Sequence, residues 1–245
     1  MMGTRLTSNL QLYGALSADE QRAVDGLVTS TRGVAAGEDL VVEGDTPMQC
    51  RVLLDGQAFR HRTLPDGRRQ VMAFHIPGDV CDLQGMFLTM DHNVTALGPC
   101  EVGLIPHARL SDVMEAHPRI AQGFWRLSLV EAAIFREWMV GMGRRTAYAR
   151  IAHLFCEMIV RLRAMGLVQQ NRCHFPITQQ HLSDALGLSA VHTNRTLQAL
   201  RGEGLLSFQG GELAILDWPG LKAAGEFDDG YLHQAKIAAI SAAGA

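Results

Sequence analysis

The residues best suited to chemistry lie between Ile177 and Leu206, in the stretch ITQQHLSDALGLSAVHTNRTLQALRGEGLL. Arg195 can grip a guanine edge through two hydrogen bonds, and Asn194 can do the same with adenine. His192 can donate to a base acceptor or to a phosphate. Val191 offers only apolar contact, of the kind that meets a thymine methyl. With Ala190 they crowd the first half of one short predicted helix, about residues 189–203. This is the chemistry of reading a duplex, not of making bonds. The sequence holds no catalytic triad, phosphate loop or metal-ligand spacing, which argues against an enzyme.

Such a helix needs a frame. Thr178 can cap a preceding helix and Ser189 can cap this one. Leu182 and Leu186 form the inner face of the first helix, with Leu188 just past the turn. Ser183 is small where two helices must approach closely, and Gly187 supplies the turn conformation. Leu197 and Leu200 sit on the buried side of the second helix. Together these spacings predict a helix-turn-helix, a device that lays one helix in the DNA major groove. After it, SFQGGELAIL reads as a small hairpin turning at Gly210-Gly211, a wing. A helix from about Arg145 to Met165 leads in. The competing reading is a helical hairpin with a solvated polar face. In that case the chain is a ligand-sensing or protein-interaction module that regulates a partner without specific DNA binding.

Charge separates this region from the rest. The net charge is −3, but residues 144–210 carry 8 Arg against 3 acids, while residues 1–143 sum to −5 and residues 211–245 to −3. A basic segment in an acidic chain fits a nucleic-acid partner. No run of about 18 apolar residues occurs, so no membrane span is expected. The start of the chain does not read as a signal peptide, and a cytoplasmic location follows. The 5 cysteines are odd in number, widely spaced and without a CxxC pair, so buried free thiols are expected.

Upstream, residues 5–27 look helical, with Ser17 a plausible helix start. From Val28 to Ile105, Gly/Asp turns recur between short β-rich runs, which suggests a small barrel or roll. From Ser111 to Arg163 the period is helical. Ile120, Phe124, Leu127, Glu131, Ile134 and Trp138 form a heptad-like stripe with one polar interruption, expected to pair with a second subunit rather than with the chain's own roll. Gly141 and Gly143 each weaken a helix by about 1 kcal/mol and suggest a hinge there. The Ala-rich, acidic tail could hold short helices.

At this point the chain resembles the Crp/Fnr family, the cyclic-AMP receptor and anaerobic regulators of bacteria. The resemblance rests on ITQQHLSDALGLSAVHTNRTLQALRGEGLL, with AAGEDLVVEGD and PGDVCDLQGMF in the roll, and covers about residues 12–216. It implies an α+β fold: an N-terminal double-stranded β-roll (a cyclic-nucleotide-binding-like jelly roll, 1–117), a long dimerisation helix and hinge (118–143), a C-terminal winged helix-turn-helix (144–218) and a tail (219–245). It implies a homodimer that regulates transcription from a palindromic operator in double-stranded DNA, with RNA polymerase a partner if it activates. Base readers would be Ala190, Val191, Asn194 and Arg195, with His192 replacing the Glu that relatives often carry at Val191. Phosphate contacts would come from Gln180, Ser189 and Gln209.

The implied effector pocket departs from the family pattern. Asp82 and Leu83 replace a Gly-Glu pair, Asn93 and Val94 replace an Arg-Ser pair, and Phe135 occupies the adenine position. A phosphate would meet Asp82 with no compensating cation, so cyclic AMP is not expected to bind in the usual manner. No cysteine cluster precedes Cys50, and His75, His92 and Cys81 are too scattered to support haem. Neither haem nor an iron–sulfur cluster is supported, and the effector is unknown.

Overall fold

The structure, a computed structural model, describes residues 4–234. Its contacts divide into two units: residues up to 62 with 73–132, and residues 63–72 with 133–232.

The first unit opens with two helices within residues 5–27, the second starting at Ser17 as its sequence suggests. Thr4 caps α1 (Arg5–Gln11), and Ser17 caps α2 (Ala18–Asp25) in a reciprocal box with Glu20. The box satisfies amides that a first helical turn leaves bare, so a new helix starts at Ser17. Seven strands follow: β1 (Ser30–Val34), β2 (Asp39–Val41), β3 (Gln49–Asp55), β4 (Ala58–Thr63), β5 (Arg69–His75), β6 (Asn93–Ala96) and β7 (Cys100–Pro106). They form sheets ordered β1-β7-β3 and β2-β6-β4-β5. Gly56 turns β3 into β4 at φ +83°, where a Cβ would stand 2.6 Å from the Pro99 carbonyl oxygen. No other residue fits that turn without strain.

Val34, Leu40, Val41, Leu53, Val94 and Val102, drawn from both sheets, close the roll core. A second apolar cluster joins Leu6, Leu10, Val24 and Leu27 to Val52, Ile105, Leu110, Ile120 and Phe124. Apart from Leu27, just past α2, those residues come from the first two helices, from β3 and β7, and from α3 (His107–Ala116) and α4 (Pro118–Arg144).

Helix α4 corrects two expectations. The stripe expected to pair with a second subunit faces the chain's own interior. Ile120 and Phe124 lie in the second cluster with Leu127 packed against it. Glu131, the polar interruption, accepts a 2.5 Å ion pair from the buried Arg60. Further along, Trp138 donates its indole N–H to Glu157 at 2.9 Å. The large apolar residues left exposed are Trp125, Leu129, Met139, Val140 and Met142. The two glycines do not break the helix either, because α4 runs through Gly141 and Gly143 to Arg144. The break comes at Thr146, whose hydroxyl caps α5 (Ala147–Ala164).

In the second unit α5 is buried on nearly every side from Ile151 to Ile159. Around it lie β8 (Arg172–His174), α6 (Gln179–Leu186), α7 (Ala190–Gly202), β9 (Leu206–Gln209), β10 (Glu212–Ile215) and α8 (Trp218–Ala224), with a 3₁₀ turn at Asp229–Leu232. The sheet order β8-β10-β9 adds a third strand to the expected wing hairpin. The described part of the tail is integral to this unit. Tyr231 donates to the fully buried Glu157 at 2.9 Å, and His153 lies 3.0 Å from the Gly225 carbonyl oxygen. A buried carboxylate is tolerated only when donors surround it, and Trp138, Tyr231 and Arg161 all face Glu157. Residues 235–245 of the tail lie outside the described residues.

Candidate DNA-binding site

The site is built from α6, a tight turn and α7. Thr178 accepts the His181 amide at 3.1 Å, while His181 Nδ1 accepts the Thr178 amide at 3.2 Å. This reciprocal cap starts α6. Gly187 ends it at φ +62°, a left-handed conformation that favours glycine. Ser189 then accepts the His192 amide at 3.3 Å and starts α7. Leu182, Leu186, Leu197 and Leu200 are buried, as their spacing predicts. Ser183, small at the crossing, is also polar for a reason: its hydroxyl meets Thr193 Oγ1 at 2.9 Å inside the helix contact.

With one side of α7 buried, the other is left to solvent. Ala190, Val191 and Arg195 are exposed, Val191 at 81%. His192 and Asn194 are half-buried. Asn194 donates one amide N–H to Gln179 Oε1 at 3.0 Å. Of the expected phosphate contacts, Ser189 and Gln209 are exposed. Gln180 is exposed too, but its amide donates to Asp184 at 2.6 Å. Gly210 and Gly211 turn the wing at φ +62° and +78°, and Arg201 of α7 donates to the Phe208 carbonyl, tying wing to helix.

Four contributors were not singled out from the sequence. Gln179 and Thr193 link the two helices. Arg69, in the part of β5 that clusters with this unit, pairs with Asp184 at 2.8 Å, and the neighbouring Gln70 donates to the Ala185 carbonyl oxygen at 3.2 Å. Asp184 is the sole acid in α6 and α7. Its neutralisation by Arg69 leaves the α6–α7 segment with cationic character, which an anionic duplex favours.

Comparison with known proteins agrees with this geometry. Residues 149–224 match the Crp-like helix-turn-helix domain, and residues 31–117 match the cyclic nucleotide-binding domain. The transcriptional activator FnrL of Cereibacter sphaeroides is 29% identical over 206 residues, covering 82% of this chain and 83% of its own. The nitrogen fixation regulation protein FixK of Bradyrhizobium diazoefficiens is 29% identical over 185 residues, 75% of this chain and 76% of that one. The solved structure of FixK2 from Bradyrhizobium japonicum superposes with a TM-score of 0.73 at 25% identity, covering 81% of this chain and 98% of that one. The chain belongs to the Crp/Fnr family. This Crp/Fnr protein is a DNA-binding transcription regulator, with α6 and α7 as its helix-turn-helix and the β-roll as its cyclic-nucleotide-binding-like domain.

Several of the residues expected to line an effector pocket have partners of their own in the fold. Val94 belongs to the roll core and Leu83 packs against the second apolar cluster. Asn93 Oδ1 accepts the Glu43 amide at 3.0 Å. Phe135, half-buried, lies in the second unit. Asp82 corrects the expectation of a bare carboxylate. It is fully buried, and Arg51 supplies both its backbone N–H and its guanidinium at 2.6 Å. Burial pushes the Asp82 carboxyl up, and the Arg51 contacts oppose that shift. A second buried cation, Arg60, donates to the Cys81 carbonyl oxygen at 3.2 Å.

His92 is buried with Nδ1 2.7 Å from Asp91, and burial holds its imidazole below the ordinary range. Among the described residues no three His, Cys, Asp or Glu side chains are grouped to hold a metal. All five cysteines are free and buried, and burial pushes the Cys156 and Cys173 thiols up to about 12. Thiols so held are poor nucleophiles. Among the described residues no helix is long and apolar enough to cross a membrane.

Proposed function

We propose that this regulator is a homodimer that reads a palindromic operator through the first half of α7. The exposure of Val191 and Arg195 on a helix whose other side is buried carries this reading. Ala190, Val191, His192, Asn194 and Arg195 meet base edges, while Gln180, Ser189 and Gln209 meet phosphates. The helix-turn-helix unit spans about residues 144–218. A second copy covers the exposed side of α4. Trp125 and Leu129 lie one turn apart there, and exposed aromatic and branched side chains favour burial by about 25 cal/mol per Å².

Control does not come from cyclic AMP in the usual manner. Arg51, which contacts Asp82, is spent on Asp82 itself, and Arg60, in register with Val94, is spent on Glu131. The regulator works in the cytoplasm without catalytic activity of its own. RNA polymerase is its protein partner if, like the relatives named as activators, it activates.

Selection from random duplex DNA tests the reading. The expected winner is an inverted repeat whose half-sites lie about 10 base pairs apart, centre to centre. Arg195→Ala lowers specific affinity by about 1–3 kcal/mol and relaxes one position in each half-site. A uniform fall across sequences makes Arg195 a phosphate contact instead. Failure to enrich any palindrome at low salt overturns the reading in favour of a module that regulates a partner protein. Trp125→Glu yields a monomer in sedimentation; an unchanged mass removes that face from the dimer.

A further inference from the structure

We propose that Gln179 determines base specificity without touching DNA, by holding the Asn194 amide in the orientation that accepts adenine and refuses guanine. The inference rests on the reading of Asn194 as a base contact.

Two polar contacts lie side by side where α6 crosses α7. Gln179 Oε1 accepts Asn194 Nδ2 at 3.0 Å, and Ser183 Oγ meets Thr193 Oγ1 at 2.9 Å. Ser183 also donates to the Gln179 carbonyl oxygen at 2.9 Å. Residues four apart share one face of a helix, so 179 and 183 present a paired contact to the adjacent residues 193 and 194. The Ser183–Thr193 contact is buried and sets the register of α7 on α6. The Gln179–Asn194 contact, next to it and partly exposed, then sets the rotation of one amide.

That rotation has a chemical consequence. An Asn amide has two N–H donors and one carbonyl acceptor. With one N–H committed to Gln179, one donor and one acceptor remain, and neither has a partner among the described residues. Adenine presents an N7 acceptor beside an N6 donor in the major groove, which matches that pair. Guanine presents two acceptors, N7 and O6. To bind guanine, Asn194 would have to turn both N–H groups toward the base, or else set its own oxygen against O6. The terminal torsion of Asn is broad and turns easily when nothing holds it. Gln179 is what holds it.

The test uses the full-length protein and selection from random duplex DNA, scored as the adenine-to-guanine ratio at each operator position. Asn194→Ala is expected to erase the adenine preference at one position of each half-site. Gln179→Ala is expected to lower the ratio at that same position by about fivefold or more and to leave other positions unchanged. Gln179→Met repeats the loss while preserving the length of the side chain. Gln179→Glu keeps the acceptor and so keeps the ratio, while its charge weakens binding evenly on all sequences. An unchanged ratio in Gln179→Ala and Gln179→Met, or a loss spread evenly over all positions, overturns the proposal while leaving Asn194 a reader. An Asn194→Ala profile identical to the parent's removes Asn194 as a reader and the proposal with it. If Gln179→Ala does not fold, the Met and Glu variants decide the matter by the same ratio.

Discussion

The α6–α7 pair and the expected effector region of the roll handle polar side chains in opposite ways. In the first, the backbone is satisfied by local caps at Thr178 and Ser189, and Val191 and Arg195 are left facing solvent. In the second, the polar groups turn inward to one another. Asp82 takes Arg51 from 31 positions away, and Glu131 takes Arg60 from 71 positions away. A surface whose charges are unspent can bind an outside partner. A region whose charges pair with each other spends them on its own fold.

The contrast can be broken by experiment. The largest effect is expected in the roll. Arg51→Ala leaves Asp82 buried beside no cation and costs about 3 kcal/mol of stability in denaturant unfolding. Arg195→Ala, removing the same charge from α7, shifts unfolding by no more than about 0.5 kcal/mol. Equal losses at the two sites would erase the distinction. Next, Ser183→Ala strands a buried Thr193 hydroxyl and costs about 1–2 kcal/mol of thermal stability, with DNA affinity falling through misplacement of α7. A smaller, purely functional change is expected from Val191→Glu. It shifts preference at one operator position from thymine to cytosine by about 1 kcal/mol in competition binding.

The smallest effect concerns pH. Burial holds the His153 imidazole below its ordinary value of 6.5, with Arg145 adding to that and the Gly225 carbonyl opposing it. The unfolded chain therefore takes up a proton before the folded one does. Stability stays level above 6.5 and declines as pH falls below it, toward the lowered folded value. His153→Gln flattens this part of the profile in urea titrations; an unchanged slope would assign it to other groups.

Much of the helix-turn-helix was legible because its signals are short-range. A cap, a glycine at positive φ and leucines at helical spacing act within one or two turns, and each stands where the spacing placed it. The wing glycines and the roll's Gly/Asp turns were readable for the same reason. The helix start at Ser17 was readable in the same way, from the Ser17–Glu20 box. The Gly141–Gly143 hinge failed because helix propensity is a small term that packing overrides. Gly141 is buried within α4, and the helix passes through it. The stripe on α4 was correct in period but not in partner, since periodicity reveals that a face is buried, never what buries it.

The sequence by itself determined the order of elements, the DNA-reading helix and the family, because these follow from neighbours along the chain. Only the tertiary structure decided that Asp82 is paired, that Glu131 is an anchor rather than an interruption, that the tail closes over Glu157, and that Gln179 holds Asn194. Each of those is a contact between residues 15 or more positions apart. Hydrogen bonds and ion pairs act over about 3 Å of space, and distance along the chain does not enter their energy.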